Sequence, residues 1–215
     1  MKAMKDLYYL LNRGYKKELA VKFVSDHYKL SKKERYRIMR IVFSEKEIKE
    51  IKRKKLEIKD IKNRSLAIDG YNVLITTESV LENKAFLCFD GVVRDTRGIF
   101  RKYKFTDRSN EALNEIFSLL SKYPPEKVLF FFDAQISRSG ELCSLVRKYI
   151  DEYRLKGDAT AVKNVDYTLK KLQILTATND SIIIKYIKNF VDIPKAIWEN
   201  TLIFCRCEQF LENFK

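Results

Sequence analysis

The chain opens on apolar residues at helical spacing. In "MKDLYYLLNRG" Leu7, Leu10 and Leu11 share one face, and Gly14 stands where such a helix would stop. "KKELAVKFVSDHY" follows, with Leu19, Ala20, Phe23 and Val24 as its inward face. "SKKE" at Ser31–Glu34 and "SEKE" at Ser44–Glu47 each place a hydroxyl three residues before a carboxylate, the capping-box signature of a helix start. Four short helices are predicted, the last running through the charge-alternating "EKEIKEIKRKKLEIKDIKNR" towards a second unit.

From Ser65 the pattern changes to short apolar runs alternating with helical stretches. "SLAID", "AFLCFD", "KVLFFFDA", "ATAVKNV", "QILTAT" and "NFVDI" read as strands. Between them "YNVLITTESVLEN", "SNEALNEIFSLLSKY", "GELCSLVRKYIDEYR", "VDYTLKKL" and "SIIIKYI" read as helices. Strands that are apolar on both faces and separated by helices predict an α/β fold. Its mostly parallel central sheet is flanked by helices, with "LAID" and "LFFFD" adjacent and central. A small all-α domain (1–62) precedes this α/β domain (63–215). "AFLCFDGVVRDTRG" reads as a hairpin turning at Asp90–Gly91.

Charge sharpens the division. Of the net +14, residues 1–65 carry 21 Lys and Arg against 9 Asp and Glu, whereas the remainder is nearly balanced. So basic a helical front is expected to face a polyanion, with nucleic acid first and an acidic membrane surface second. A fragment starting near Asn63 is expected to bind RNA more weakly. Tyr8, Tyr9, Tyr15, Tyr28 and Tyr36 interleave with the basic residues and suit stacking on unpaired bases, or core packing. No run is apolar enough to span a membrane, and the first residues mix acid and base unlike a secretory signal. A cytoplasmic protein is expected, with a homo-oligomer left open. Cys88 and Cys143 sit in apolar segments and read as core. Cys205 and Cys207 form a lone CxC, and the single histidine, His27, is far away, so a zinc site lacks ligands.

Three predicted strands end in aspartate: Asp69 in "AIDGYN", Asp133 in "FFFDAQ" and Asp180 in "TATND". Ligands of open parallel sheets bind beyond the carboxyl ends of the strands. Acids gathered there repel one another unless a cation neutralises them, and oxygen donors without histidine or cysteine favour Mg²⁺ or Mn²⁺. Asp166 in "KNVDYTL" is placed to join them. Each acid also has a plain reading as a helix or turn cap. Other chemistries lack their parts: there is no GxxxxGK[ST] loop, no GxGxxG, and a serine triad would have to use His27.

"LAIDGYNVL", "VLFFFDAQ", "VDYTLKKL" and "ILTATNDSIII" resemble the successive motifs of the NYN/PIN-like nuclease superfamily, over residues 65–195. The helical front resembles the domain that accompanies such a module in uncharacterised archaeal proteins. The resemblance implies metal-dependent hydrolysis of nucleic acid, most readily as an endoribonuclease. Asp69, Asp133, Asp166 and Asp180 would be catalytic, the first, second and fourth of them metal ligands, and Asn72 would support the site. Members often carry a helical glutamate, for which Glu78 and Glu82 compete. Two segments depart from the pattern. The hairpin, with Asp90, Arg94, Asp95 and Arg97, is either a substrate-gripping flap or an ion-pair network. "QISRSGEL" offers Ser137, Arg138, Ser139 and Gly140 either as a phosphate cradle or as a capped turn. The alternative to catalysis is an RNA-binding or assembly protein built on an inactive fold of this kind.

Overall fold

The computed structural model describes residues 2–98 and 103–200. Four helices lead, α1 (Lys2–Asn12), α2 (Lys17–His27), α3 (Lys32–Ile41) and α4 (Glu45–Lys54). Both capping boxes form: Ser31 accepts from the Glu34 amide while Glu34 accepts from the Ser31 amide, and Ser44 and Glu47 do the same. β1 (Ser65–Asp69), α5 (Gly70–Leu81) and the hairpin β2 (Ala85–Leu87) and β3 (Val93–Asp95) follow. Next come α6 (Asp107–Lys122), β4 (Lys127–Asp133), α7 (Ser139–Glu152) and β5 (Gly157–Val162). The described chain closes with α8 (Val165–Leu172), β6 (Leu175–Ala177), α9 (Ser181–Tyr186), β7 (Phe190–Val191) and α10 (Ile193–Asn200).

The architecture is α/β. Five strands pair in the order β5-β4-β1-β6-β7, every pair parallel, with β1 and β4 adjacent as the apolar runs foretold. Alternation sorts the side chains between two layers. Leu66 and Ile68 of β1, and Val128, Phe130 and Phe132 of β4, pack with α5, α6, α7 and α10. Ala67, Phe131 and Phe190 face the other way. There they meet Ile183, Ile184 and Ile187, together with Leu7, Leu11, Ala20, Val24, Phe43 and Ile51 of the leading helices. The front helices and the sheet therefore share one apolar layer. Gly70 opens α5 because only hydrogen fits there: a Cβ would sit 2.4 Å from the Phe132 ring.

Several local expectations shift. In α2 the buried residues are Ala20, Val21 and Val24, while Leu19 (62%) and Phe23 (67%) are exposed. The small and β-branched side chains form the face that lies close to α1. α4 ends ten residues short of the charged run. Lys55 bridges to Phe190 and the Leu56 amide donates to the Phe190 carbonyl, so the free edge of β7 replaces the next helical turn. A short 3₁₀ turn, Ile58–Ile61, leads on into β1. α10 was not foreseen; Asp192 accepts from the Lys195 amide and Pro194 sits near its start, where proline fits. Cys88 and Cys143 are buried free thiols, as expected, and Cys205 and Cys207 lie outside the described residues. No helix among the described residues is long and apolar enough to cross a membrane.

Candidate active site

The strand order reverses between β1 and β6, since the chain builds outward to β4 and β5 and then returns to the other side of β1. At the carboxyl ends of these strands lies a crevice of about 470 Å³, and Asp69, Asp133, Asp166 and Asp180 all line it. The fold thus brings together the four acids read from the sequence.

Their local roles differ. Asp69 stands at the start of α5 without capping it; its Oδ2 accepts from Thr178 Oγ1 across the reversal point at 2.8 Å. Asp180 does cap α9, its Oδ1 accepting from the Ile182 and Ile183 amides, and Asp133 accepts from the Gln135 amide in a tight turn. For both, the cap reading and the place in the crevice hold together. Asp166 is relieved of the cap by Asn164, whose side chain accepts from the Tyr167 amide. Asn72 also lines the crevice, and its Oδ1 accepts from the Asn179 amide at 2.7 Å, tying α5 to the loop after β6.

The electrostatics follow from this gathering. Burial pushes the Asp69 carboxyl up to about 8; the Thr178 hydroxyl opposes that rise, and the charges of Asp180 and Asp166 add to it. Asp166 is likewise raised, by burial, Asp180 and Asp133. Among the described residues, no three His, Cys, Asp or Glu side chains are arranged as a ready-made cation cage. The donor set nonetheless suits a small hard ion that keeps most of its waters and takes only one or two carboxylates from protein. Asp69 with Asp180 or Asp133 would hold it.

Other expected site residues lie elsewhere. Arg94 does not reach the crevice. It is fully buried, its Nη1 and Nη2 donate to both Asp90 oxygens at 2.8 and 2.6 Å, and its Nε donates to the Asn179 carbonyl. The hairpin is an ion-pair network that braces the site loop from behind, and Asn179 extends it through Nδ2 bonds to the Val93 carbonyl and Asp192. Removing one partner of such a pair strands a buried charge. Arg94→Met should therefore cost about 3–5 kcal/mol of stability, and the double change with Asp90→Leu should recover most of it. Urea denaturation midpoints check this; a single variant as stable as wild type would contradict it.

Ser137 and Arg138 line a neighbouring cleft with Tyr71, Tyr103 and Leu145, and Arg138 is engaged by Glu141. They form an uncapped turn at the start of α7, held by the exposed Arg138–Glu141 pair, and not a cradle over the acids. Neither competing glutamate enters the crevice. Glu78 accepts from Tyr103 and Ser109, and Glu82 pairs with Arg97 and Lys84. Among the stacking candidates, Tyr8 bonds Glu45 and Tyr28 bonds Asp6, whereas Tyr9 and Tyr15 are exposed and Tyr36 lines the crevice.

Sequence reasoning missed Thr178, Arg40 and Lys163, which also belong to this site or its walls, while Asp95 of the hairpin does reach the crevice wall. "TATND" held a signal for Thr178, a hydroxyl two residues before a strand-end acid. Nothing in "RYRIMR" marked Arg40.

Residues 58–196 match the family profile described as a domain of unknown function, DUF5616, and residues 1–54 match one described as a protein of unknown function, DUF434. An uncharacterized protein of Methanocaldococcus jannaschii is 43% identical over 195 residues, spanning 89% of this chain and 93% of that protein. No solved structure matches the chain.

Proposed function

The chain belongs to the DUF5616 family, and from its strand-end crevice we propose that it is a metal-dependent nuclease of the NYN/PIN-like kind, hydrolysing phosphodiester bonds of RNA in the cytoplasm. One observation carries the reading: four aspartates, two at the ends of β1 and β4 and two at the starts of α8 and α9, line a single crevice at the point of strand-order reversal. Mg²⁺ or Mn²⁺ bound there would supply the positive charge that acidifies a water and offsets the phosphate oxygens. Asp69, oriented by Thr178, would hold the ion, with Asp180 and Asp133 completing the acidic wall. Asp166, with its raised carboxyl, takes the proton from the attacking water. Asn72 holds the loop carrying Asp180 in register with β1. The basic outer faces of α1–α4 attract the RNA backbone without reading sequence. Not every base is free for this: Lys54 caps the end of α9 and Lys55 bonds Gly91 and Asp192.

The absence of a preformed cage among the described residues favours a second reading, an RNA-binding scaffold without catalysis. Incubation of labelled single-stranded and structured RNA with Mg²⁺, Mn²⁺ or EDTA separates the two. Cleavage that EDTA abolishes is expected; binding without cleavage, and without a metal-dependent rise in melting temperature, would leave the scaffold.

A further inference from the structure

We infer that Arg40 and Tyr36 of α3 are the substrate-gripping pair of the crevice, Arg40 on a backbone phosphate and Tyr36 on the face of an unpaired base. The inference deepens the nuclease reading and rests on it for the identity of the ligand.

Both residues come from the helical front and line the crevice beside the four acids, so the site is built by both parts of the chain. They are four residues apart and share a face of α3, with the Arg40 guanidinium 5.6 Å from the Tyr36 ring centroid. The Arg40 Nε is buried and has no hydrogen-bond partner, and Arg40 forms no ion pair among the described residues. Other arginines near the site are satisfied internally: Arg94 by Asp90, Arg97 by Asp95 and Glu82, Arg138 by Glu141. A guanidinium that lines a cleft without an internal acceptor is a place for an acceptor from outside. A guanidinium presents a planar fork that matches two phosphate oxygens.

The acids make this cation necessary. A phosphodiester entering a wall of four carboxylates meets repulsion that one hydrated ion offsets only in part. Arg40 stands at that wall and supplies a second positive charge. Tyr36 sets the neighbouring surface. Its ring lines the crevice with its hydroxyl end beside Gly98, where a Cβ would lie 3.5 Å away, and an aromatic ring stacks on bases of any sequence. The pair therefore selects a single strand and tolerates any sequence.

The test is fluorescence anisotropy of a labelled single-stranded oligoribonucleotide, and of its duplex, with Ca²⁺ in place of Mg²⁺. Arg40→Gln and Arg40→Ala should weaken binding about tenfold or more, as expected for one charge-assisted bond to phosphate. They should also reduce the slope of log affinity against log salt by about one contact, which a merely structural role would not do. Tyr36→Leu should weaken binding of the single strand about fivefold or more and spare the duplex. Melts with and without Mn²⁺ should give each variant the wild-type increment, because neither residue holds the ion. Arg40 variants within twofold of wild type, with an unchanged salt slope, would overturn the inference while leaving the nuclease reading intact. A wild type with a Mn²⁺ increment and no affinity for RNA would overturn it as well. Loss of the increment in wild type itself would instead count against the metal site.

Discussion

Asp69→Asn should abolish metal-dependent cleavage, by at least the 10²–10³-fold that removal of one preorganised electrostatic group costs, while the protein stays folded. Asparagine can still accept from Thr178 and has nearly the same shape, and it removes a carboxylate that burial, Asp180 and Asp166 all disfavour. The stability profile supplies the second half of the result. The folded carboxyl is raised to about 8 against an ordinary value near 3.8. Between those values the native state holds a proton that the unfolded chain has released, so metal-free stability falls as pH climbs through this window and levels off above it. Asp69→Asn should lack that decline and melt higher than wild type near pH 8 in EDTA. With Mn²⁺ the order should reverse, because ion binding requires the deprotonated carboxylate and stabilises only wild type. Thermal melts from pH 5 to pH 9 with EDTA or Mn²⁺ measure both. Parallel curves for the two proteins would mean that Asp69 is an ordinary solvated acid and would remove it from the site.

A fragment starting at Asn63 should fail to fold cooperatively, although the charge step near residue 62 invites the cut. Without α1–α4 the apolar residues Cys88, Val92, Leu169, Ile183, Ile184, Ile187 and Phe190 lose their covering layer. Backbone bonds cross the cut too: Leu56 donates to Phe190, and Phe89 donates to Ile41. Lys54 leaves the carbonyls of Ile184 and Lys185 at the end of α9. Burying one large aliphatic side chain contributes about 1.5–3 kcal/mol, so uncovering several exceeds the 5–15 kcal/mol that a domain has in reserve. Broad, non-cooperative melting with dye binding is expected. A sharp transition for residues 63–215 would show that the two parts are independent, and the RNA affinity of the front could then be assayed by deletion.

The sequence exposed most of what depends on local order. Runs apolar on both faces identified the parallel strands, hydroxyl–carboxylate pairs four residues long marked two helix starts, and strand-terminal aspartates pointed to the crevice. What stayed hidden depends on distance across the fold. Arg94 carries the same side chain whether it grips a ligand or a buried Asp90, and only the hairpin's position behind Asn179 decides. The inward face of α2 turned on how closely α1 approaches, which small residues permit and a count of apolar positions does not register. Arg40 belongs to the acidic site because α3 lies against the sheet's strand ends, and a charged residue in a basic helix carries no mark of that.

The bond from Lys54 to the Ile184 carbonyl, with the layer that surrounds it, also sets an order in time. During synthesis the helices α1–α4 leave the ribosome before the sheet, with their capping boxes ready but their apolar faces unpaired. The surface that covers them includes Ile183 to Phe190, more than a hundred residues downstream. For most of translation the chain therefore exposes Leu7, Leu11, Val24 and Phe43 beside a dense array of lysines. Contacts of such long separation form late and slowly. Throughout that interval the excess positive charge of these helices should keep the nascent segment apart from its own copies on neighbouring ribosomes.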